Sequence, residues 1–264
     1  MIRVQNLVKK YGALTAVNDV SFDVDQGEIF AFLGPNGAGK TTTIKMLTTL
    51  LKPTSGKVEL DGLDPSMHHN EARKRFGIVF QDPSLDDELT AHENMNLHCI
   101  LYKVPRKVRA ERIQKLLTLF ELWDRRDDPV KQYSGGMKRR LEIARGLLHT
   151  PKIIFLDEPT LGLDPQTRNH LWTHVQTLNQ EERVTVFLTT HYMEEADRVA
   201  QRIAIIDHGK IVAQGTSAQL KAQTNSETLE QAFLALTGTS IRAESASAWD
   251  HMRQARQLFR GGRR

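Results

Sequence analysis

The chain has 264 residues, 39% of them hydrophobic and 26% charged, with a formal net charge of +4. That length suits one large α/β domain carrying a smaller lobe and excludes two full-sized independent domains. Apolar runs such as Ile153 to Leu156 and Phe233 to Leu236 are too short to span a bilayer, no secretion signal is expected at the start, and the single cysteine, Cys99, rules out an intrachain disulfide and fits a reducing cytosol.

In chain order, Ile2 to Leu7, Val20 to Val24 and Glu28 to Leu33 read as short strands separated by turns at Tyr11-Gly12 and Gln26-Gly27. A helix is predicted to begin directly after Gly39, with Ile44, Leu47 and Leu51 on one apolar face, and to end at Pro53 to Gly56. Phe76 to Phe80 is a further strand. From there to Thr150 helical periodicity dominates, clearest in Ile113, Leu116, Leu117 and Phe120, and predicts a helical lobe. Ile153 to Leu156 and Val184 to Leu188 are unbroken apolar runs, as in strands buried on both faces of a mostly parallel sheet. Arg202 to Ile206 and Lys210 to Ala213 flank Asp207-His208-Gly209 as a hairpin. From Ile241 onward the chain carries Arg242, Arg253, Arg256, Arg260, Arg263 and Arg264 against Glu244 and Asp250. Such a basic tail could meet an anionic lipid surface or a dimer partner, though ends of this kind are more often solvated.

The run Gly34, Pro35, Asn36, Gly37, Ala38, Gly39, Lys40, Thr41, Thr42 joins a strand to a helix and matches the phosphate-loop pattern in the context that pattern needs. Its glycines let successive N–H groups point inward, and the helix start adds partial positive charge. Lys40 is placed to reach the β- and γ-phosphates, Thr41 to hold Mg²⁺ through its hydroxyl, and Thr42 to meet the α-phosphate. Ile153 to Pro159 reads IIFLDEP, an apolar strand ending in two carboxylates at the edge where a doubly wound sheet presents ligand-binding groups. Asp157 is the candidate for orienting Mg²⁺, and Glu158 for taking a proton from the attacking water. Alone, an Asp-Glu pair at a strand end is more often a solvated turn.

Tyr133 to Met137 reads YSGGM ahead of a helix running through Leu141, Ala144, Arg145 and Leu148. Ser134 and the N–H groups of Gly135 and Gly136 make a second anion-binding helix start. Either the fold brings the two starts together in one chain, or each completes the other's site across a two-fold dimer.

The order GPNGAGKTT, Gln81, YSGGM, IIFLDEP, GLDP and His191 resembles the ATP-binding subunits of ABC transporters over residues 1 to 220. The resemblance implies an α/β fold: a P-loop NTPase core of mostly parallel sheet with an antiparallel β subdomain, formed by 1–85 and 151–220, and an inserted α-helical subdomain at 86–150. Residues 221–264 would be a helical extension and basic tail. It further implies that Gln81 touches Mg²⁺ and the attacking water, that Asp164 communicates across a dimer, that His191 hydrogen-bonds the γ-phosphate, and that adenine stacks on Tyr11. Two copies would clamp ATP and Mg²⁺ head to tail and drive a separate membrane permease from the inner face of the cell membrane, with no nucleic acid involved. Tyr133 and Met137 stand where the family usually has Leu and Gln, so a polar contact from residue 137 is not expected. YSGGM together with TLEQAFLALTG at Thr228 to Gly238 looks like the branch serving drug-resistance exporters and related systems.

Two rival readings remain at this stage. A non-transport ABC ATPase acting on ribosomes or DNA would bring a second cassette or long coiled coils, and the chain has one cassette and no heptad run. A regulatory module that holds nucleotide without cleaving it would not need both Glu158 and His191.

Overall fold

The computed structural model describes residues 1–238, and the basic tail lies outside them. A six-stranded sheet runs in the order β5-β6-β7-β3-β8-β9 and a three-stranded sheet in the order β2-β1-β4. In the larger sheet β3 (Ile29–Leu33), β5 (Phe76–Val79), β6 (Ile153–Asp157), β7 (Thr185–Thr190) and β8 (Arg202–Asp207) are parallel, and β9 (Lys210–Gly215) returns antiparallel to β8. The smaller sheet is antiparallel and made of β1 (Ile2–Tyr11), β2 (Leu14–Val24) and β4 (Ser55–Leu60).

Strand alternation divides the interior into two layers. Ala31, Leu33, Leu156 and Leu188 face the larger hydrophobic core, which the helices cover. Phe30, Phe32, Phe155 and Phe187 point the other way, toward the antiparallel sheet. There Phe22 of β2 stacks on Phe30 at 5.6 Å and lies 5.8 Å from Phe187. The continuous apolar runs in the sequence are therefore strands buried on both faces.

Helix α1 (Lys40–Leu47) follows β3 and seats Ile44 and Leu47 in the second layer. It ends earlier than Pro53, because Thr49 turns left-handed at φ 64°. Strand β4 and helix α2 (His69–Arg75) are additions to the reading of the sequence. The segment from 91 to 146 is helical, as predicted: α3 (Ala91–Leu101), α4 (Arg106–Leu119) and α5 (Gly135–Gly146). Ile113, Leu116, Leu117 and Phe120 all enter the larger core. Helix α5 stops at Gly146, so Leu148 falls just past it. Its backbone touches the sheet directly, since a Cβ on Gly77 of β5 would lie 2.3 Å from the carbonyl oxygen of Gly146.

Helix α6 (Pro165–Glu182) is capped by Asp164 with a proline at its first position, where the missing N–H costs nothing. Near its end the buried Asn179 amide donates to Gly27 O at 2.9 Å and Val184 O at 2.8 Å, closing the turns that lead into β3 and β7. Helices α7 (Met193–Val199), α8 (Ser217–Gln223) and α9 (Leu229–Thr237) complete the described chain. TLEQAFLALTG is α9 with its caps: Thr228 closes a capping box, Gly238 ends the helix left-handed, and Leu229 and Phe233 pack into the larger core.

Candidate functional site

The C-terminal ends of β3, β5, β6 and β7 meet at one rim, as expected of a doubly wound sheet. The phosphate loop leaves β3 there. Gly39 sits at φ 111°, and a Cβ on it would lie 2.6 Å from Ala16 O, so this position needs glycine. Gly34 is equally confined, since a Cβ would approach Ile206 O to 2.4 Å. Ala38 is buried and its N–H donates to Pro35 O at 3.1 Å, folding the loop on itself.

A cavity of about 180 Å³ opens over this loop, lined by Pro35, Asn36, Gly37, Gly39, Lys40, Thr41 and Thr42, and across from them by Gln81 and Glu158. Lys40 is buried, and its ammonium donates to Gly34 O at 2.7 Å and Pro35 O at 3.3 Å. The same Nζ lies 3.8 Å from Oε1 of Glu158. Burial pulls the Lys40 pKa down, with the carboxylates of Glu158 and Asp157 opposing it. Asp157 is buried and is not among the residues that line the cavity. Burial pushes its pKa up, against hydrogen bonds from Thr189 and Thr41. Thr189 Oγ1 donates to Asp157 Oδ1 at 2.6 Å.

Glu158 holds a left-handed backbone, φ 50°, directly after β6. Its N–H donates to Thr189 O and to Thr189 Oγ1, both at 3.1 Å, and its second carboxylate oxygen lies 2.9 Å from Nδ1 of His191. One carboxylate thus faces a lysine with one oxygen and an imidazole with the other. The cluster places a cation and a buried carboxylate on one small cavity over the glycine loop, a setting suited to a phosphate chain. The oxygen donors Thr41, Gln81 and Asp157 suit a hard divalent cation of the magnesium type, which is held through a few protein oxygens together with substrate phosphates.

Four of the other sequence-derived residues, Ser134, Gly135, Gly136 and Asp164, lie together in a second patch. Ser134 caps α5, accepting from Met137 N at 3.2 Å, and is exposed together with Gly135. Gly136 abuts α6, where a Cβ would come 2.4 Å from Thr167 Cγ2. Asp164 accepts from both the N–H and the hydroxyl of that Thr167, at 3.0 and 2.6 Å. The two helix starts carrying Ser134 and Asp164 therefore stand side by side, and neither Ser134, Gly135, Gly136 nor Asp164 lines the cavity at the phosphate loop. Tyr11 ends β1 at the hairpin tip, 48% exposed, with Lys9 Nζ 5.1 Å from its ring centre. Tyr133 is buried with its hydroxyl donating to Arg125 O at 2.7 Å, and Met137 packs against the core.

Two contributors were missed in the sequence. Thr189 anchors both carboxylate residues, and Arg139 of α5 grips the backbone around them. Thr189 sits in the apolar run of β7, one residue past the part recognised as a strand.

Residues 17–161 match the family model described as ABC transporter. The chain belongs to this family. It is 43% identical over 244 residues to the daunorubicin/doxorubicin resistance ATP-binding protein DrrA of Streptomyces peucetius, covering 92% of this chain and 73% of that one. Identity to the linearmycin resistance ATP-binding protein LnrL of Bacillus subtilis (strain 168) is 40% over 231 residues, 88% of this chain and 74% of the relative. Among solved structures, the fold is similar to a dimeric ATP-binding cassette in a post-hydrolysis state bound to ADP and Pi, with a TM-score of 0.73, 31% identity, and coverage of 82% of this chain and 98% of that one. The chain is thus an ATP-binding and ATP-hydrolysing ABC subunit of the drug-resistance exporter type. No helix among the described residues is long and apolar enough to cross a membrane.

Proposed function

We propose that two copies of this chain bind two ATP·Mg²⁺ between them and drive drug export through a separate membrane permease, to which they attach at the inner membrane face. The observation that carries this reading is the separation of the two anion-binding helix starts: the phosphate loop opens on a cavity with Glu158, while Ser134 and Gly135 are exposed beside Asp164, with Gly136 buried behind them against Thr167. A patch that cannot serve its own cavity is suited to serve a partner's.

In that arrangement Lys40 and the loop N–H groups hold the β- and γ-phosphates, Thr42 meets the α-phosphate, and adenine stacks on Tyr11. Thr41, Gln81 and Asp157 would hold the magnesium ion, which would neutralise phosphate charge. Glu158 accepts a proton from the attacking water, and His191 keeps that carboxylate in place while its other ring nitrogen is available to the γ-phosphate. Ser134, Gly135 and Gly136 of the second copy close over the terminal phosphate, and Asp164 lies at the seam. Hydrolysis removes the group that both halves hold, so they part.

The proposed division is a core of 1–85 and 151–220, a helical lobe at 86–150 and a C-terminal extension from 221. Residues Asp82 to Glu93 are proposed to meet the permease. The adjacent α3 exposes Leu97, Ile100 and Leu101, apolar surface that supports a protein partner at this edge.

The decisive experiment is size-exclusion chromatography of Glu158→Gln with ATP and magnesium. The variant runs as a dimer with ATP and as a monomer without it, and its turnover falls roughly 10² to 10⁴-fold with nucleotide still bound. Ser134→Arg on the same background stays monomeric. A Glu158→Gln protein that remains monomeric with bound ATP, or that hydrolyses at the parental rate, overturns the reading.

A further inference from the structure

Arg139 is buried on α5 and uses all five of its N–H donors on backbone and side-chain oxygens around the site. Nε donates to Pro159 O at 2.8 Å. Nη1 donates to Phe80 O at 2.5 Å and to Glu142 Oε2 at 3.0 Å. Nη2 donates to Glu158 O at 3.0 Å and Asp157 O at 3.3 Å. Phe80 and Asp157 follow the last paired residues of neighbouring strands, Val79 and Leu156. The guanidinium therefore takes over where the pairing of β5 with β6 ends.

We propose that Arg139 is a positioning residue that sets the place of Glu158 relative to Gln81. It binds the carbonyl immediately before Gln81 and the three successive carbonyls of Asp157, Glu158 and Pro159. Glu158 has positive φ, a conformation that costs a side-chain-bearing residue free energy, and hydrogen bonds on both sides hold it there. Thr189 fixes its N–H and Arg139 fixes its carbonyl. A planar fork with five donors meets these acceptors together, whereas a lysine has three donors on one atom and cannot span them. Glu142 keeps the fork in register and also accepts from Ser84 N at 2.7 Å, so the same helix face holds the loop beyond Gln81.

The inference rests on Glu158 being the base, and the test separates the two. ATPase rates, ATP dissociation constants and thermal midpoints are measured for Arg139→Lys and Arg139→Met, each with Glu158 and with Glu158→Gln. With Glu158 present, turnover per folded protein falls about 10²-fold while ATP affinity changes less than about threefold. With Glu158→Gln the same substitutions remove less than about threefold more, because there is no base left to misplace. Should Arg139→Met not fold, Arg139→Lys, which keeps the charge and most of the volume, carries the test. Parental turnover in Arg139→Lys beside a slow Glu158→Gln overturns the inference alone. So does an equal loss in both backgrounds, which marks a purely structural residue. Parental turnover in Glu158→Gln overturns the base assignment first, and this inference with it.

Discussion

Glu158 and His191 form one hydrogen-bonded unit, with Nδ1 2.9 Å from Oε2, while Lys40 faces the other carboxylate oxygen at 3.8 Å. The imidazole holds one carboxylate oxygen and so keeps the ion pair with the lysine long. Replacing it by alanine leaves Glu158 free to turn toward Lys40 and form a closed ion pair. His191→Ala is therefore expected to lower turnover roughly 10²-fold. The ATP concentration giving half-maximal rate should move little, as seen by phosphate release across an ATP titration. A variant with full turnover and weakened ATP binding would assign His191 to binding alone.

Among the described residues, Lys40 is the one ammonium lining the cavity. Its contacts to Gly34 O and Pro35 O aim it along the loop rather than out of it. Lys40→Ala removes that charge and leaves Glu158 and Asp157 to repel the phosphates. Loss of ATP binding is expected, measured with a fluorescent nucleotide at equilibrium. Retained affinity would show that the backbone N–H groups suffice.

The fold was legible wherever the apolar pattern was long. β3, β6 and β7 and the stripe of α4 show because burial on two faces, or on one helical face, leaves a periodic trace. Strand β4 did not show. Pro53, Thr54, Ser55 and Gly56 read as a turn, and the strand's register is fixed by distant partners such as Val4 opposite Val58. Helix α2 buries only Ala72 and so has no stripe to read. At the site, the loop, Asp157, Glu158 and His191 were legible because their types and order carry the chemistry. Arg139 was not, since it stands in the run Lys138-Arg139-Arg140, which resembles a solvated charged face. Its one signal was phase: three residues after Gly136 and three before Glu142, on the buried side of α5.

Acid should destabilise the protein through His98. Its pKa is pushed down to about 3 by burial, with the charges of Arg145 and His149 adding to the effect. The folded state keeps this ring neutral, while the unfolded chain binds a proton below the ordinary value of 6.5. Stability conferred by the neutral ring is thus complete above pH 6.5 and is lost as pH falls toward 3, with a limiting slope of roughly 1.4 kcal/mol per pH unit. His149 and His174, also lowered by burial, act in the same sense. Asp157 and Glu195, raised by burial, act in the opposite sense. Urea midpoints at pH 7, 6 and 5 should fall less steeply for His98→Gln than for the parent. Equal slopes would remove His98 from the account.

Gly77→Ala tests the direct contact of β5 with α5. The new methyl meets the backbone oxygen of Gly146, which has no rotamer with which to yield. A loss of about 1 to 3 kcal/mol is expected, measured by urea unfolding. ATPase per folded molecule should fall as well, because α5 also carries Arg139. Unchanged stability would mean that strand and helix separate easily.

That bare backbone contact has a mechanical meaning. Side chains between two elements act as a cushion, since each can change rotamer and absorb a displacement. Gly77 and Gly146 leave no cushion, so strand and helix behave as one stiff lever, with Ser134 at the helix start and Gln81 just past the strand end. A force on Ser134 would reach Gln81 with little damping.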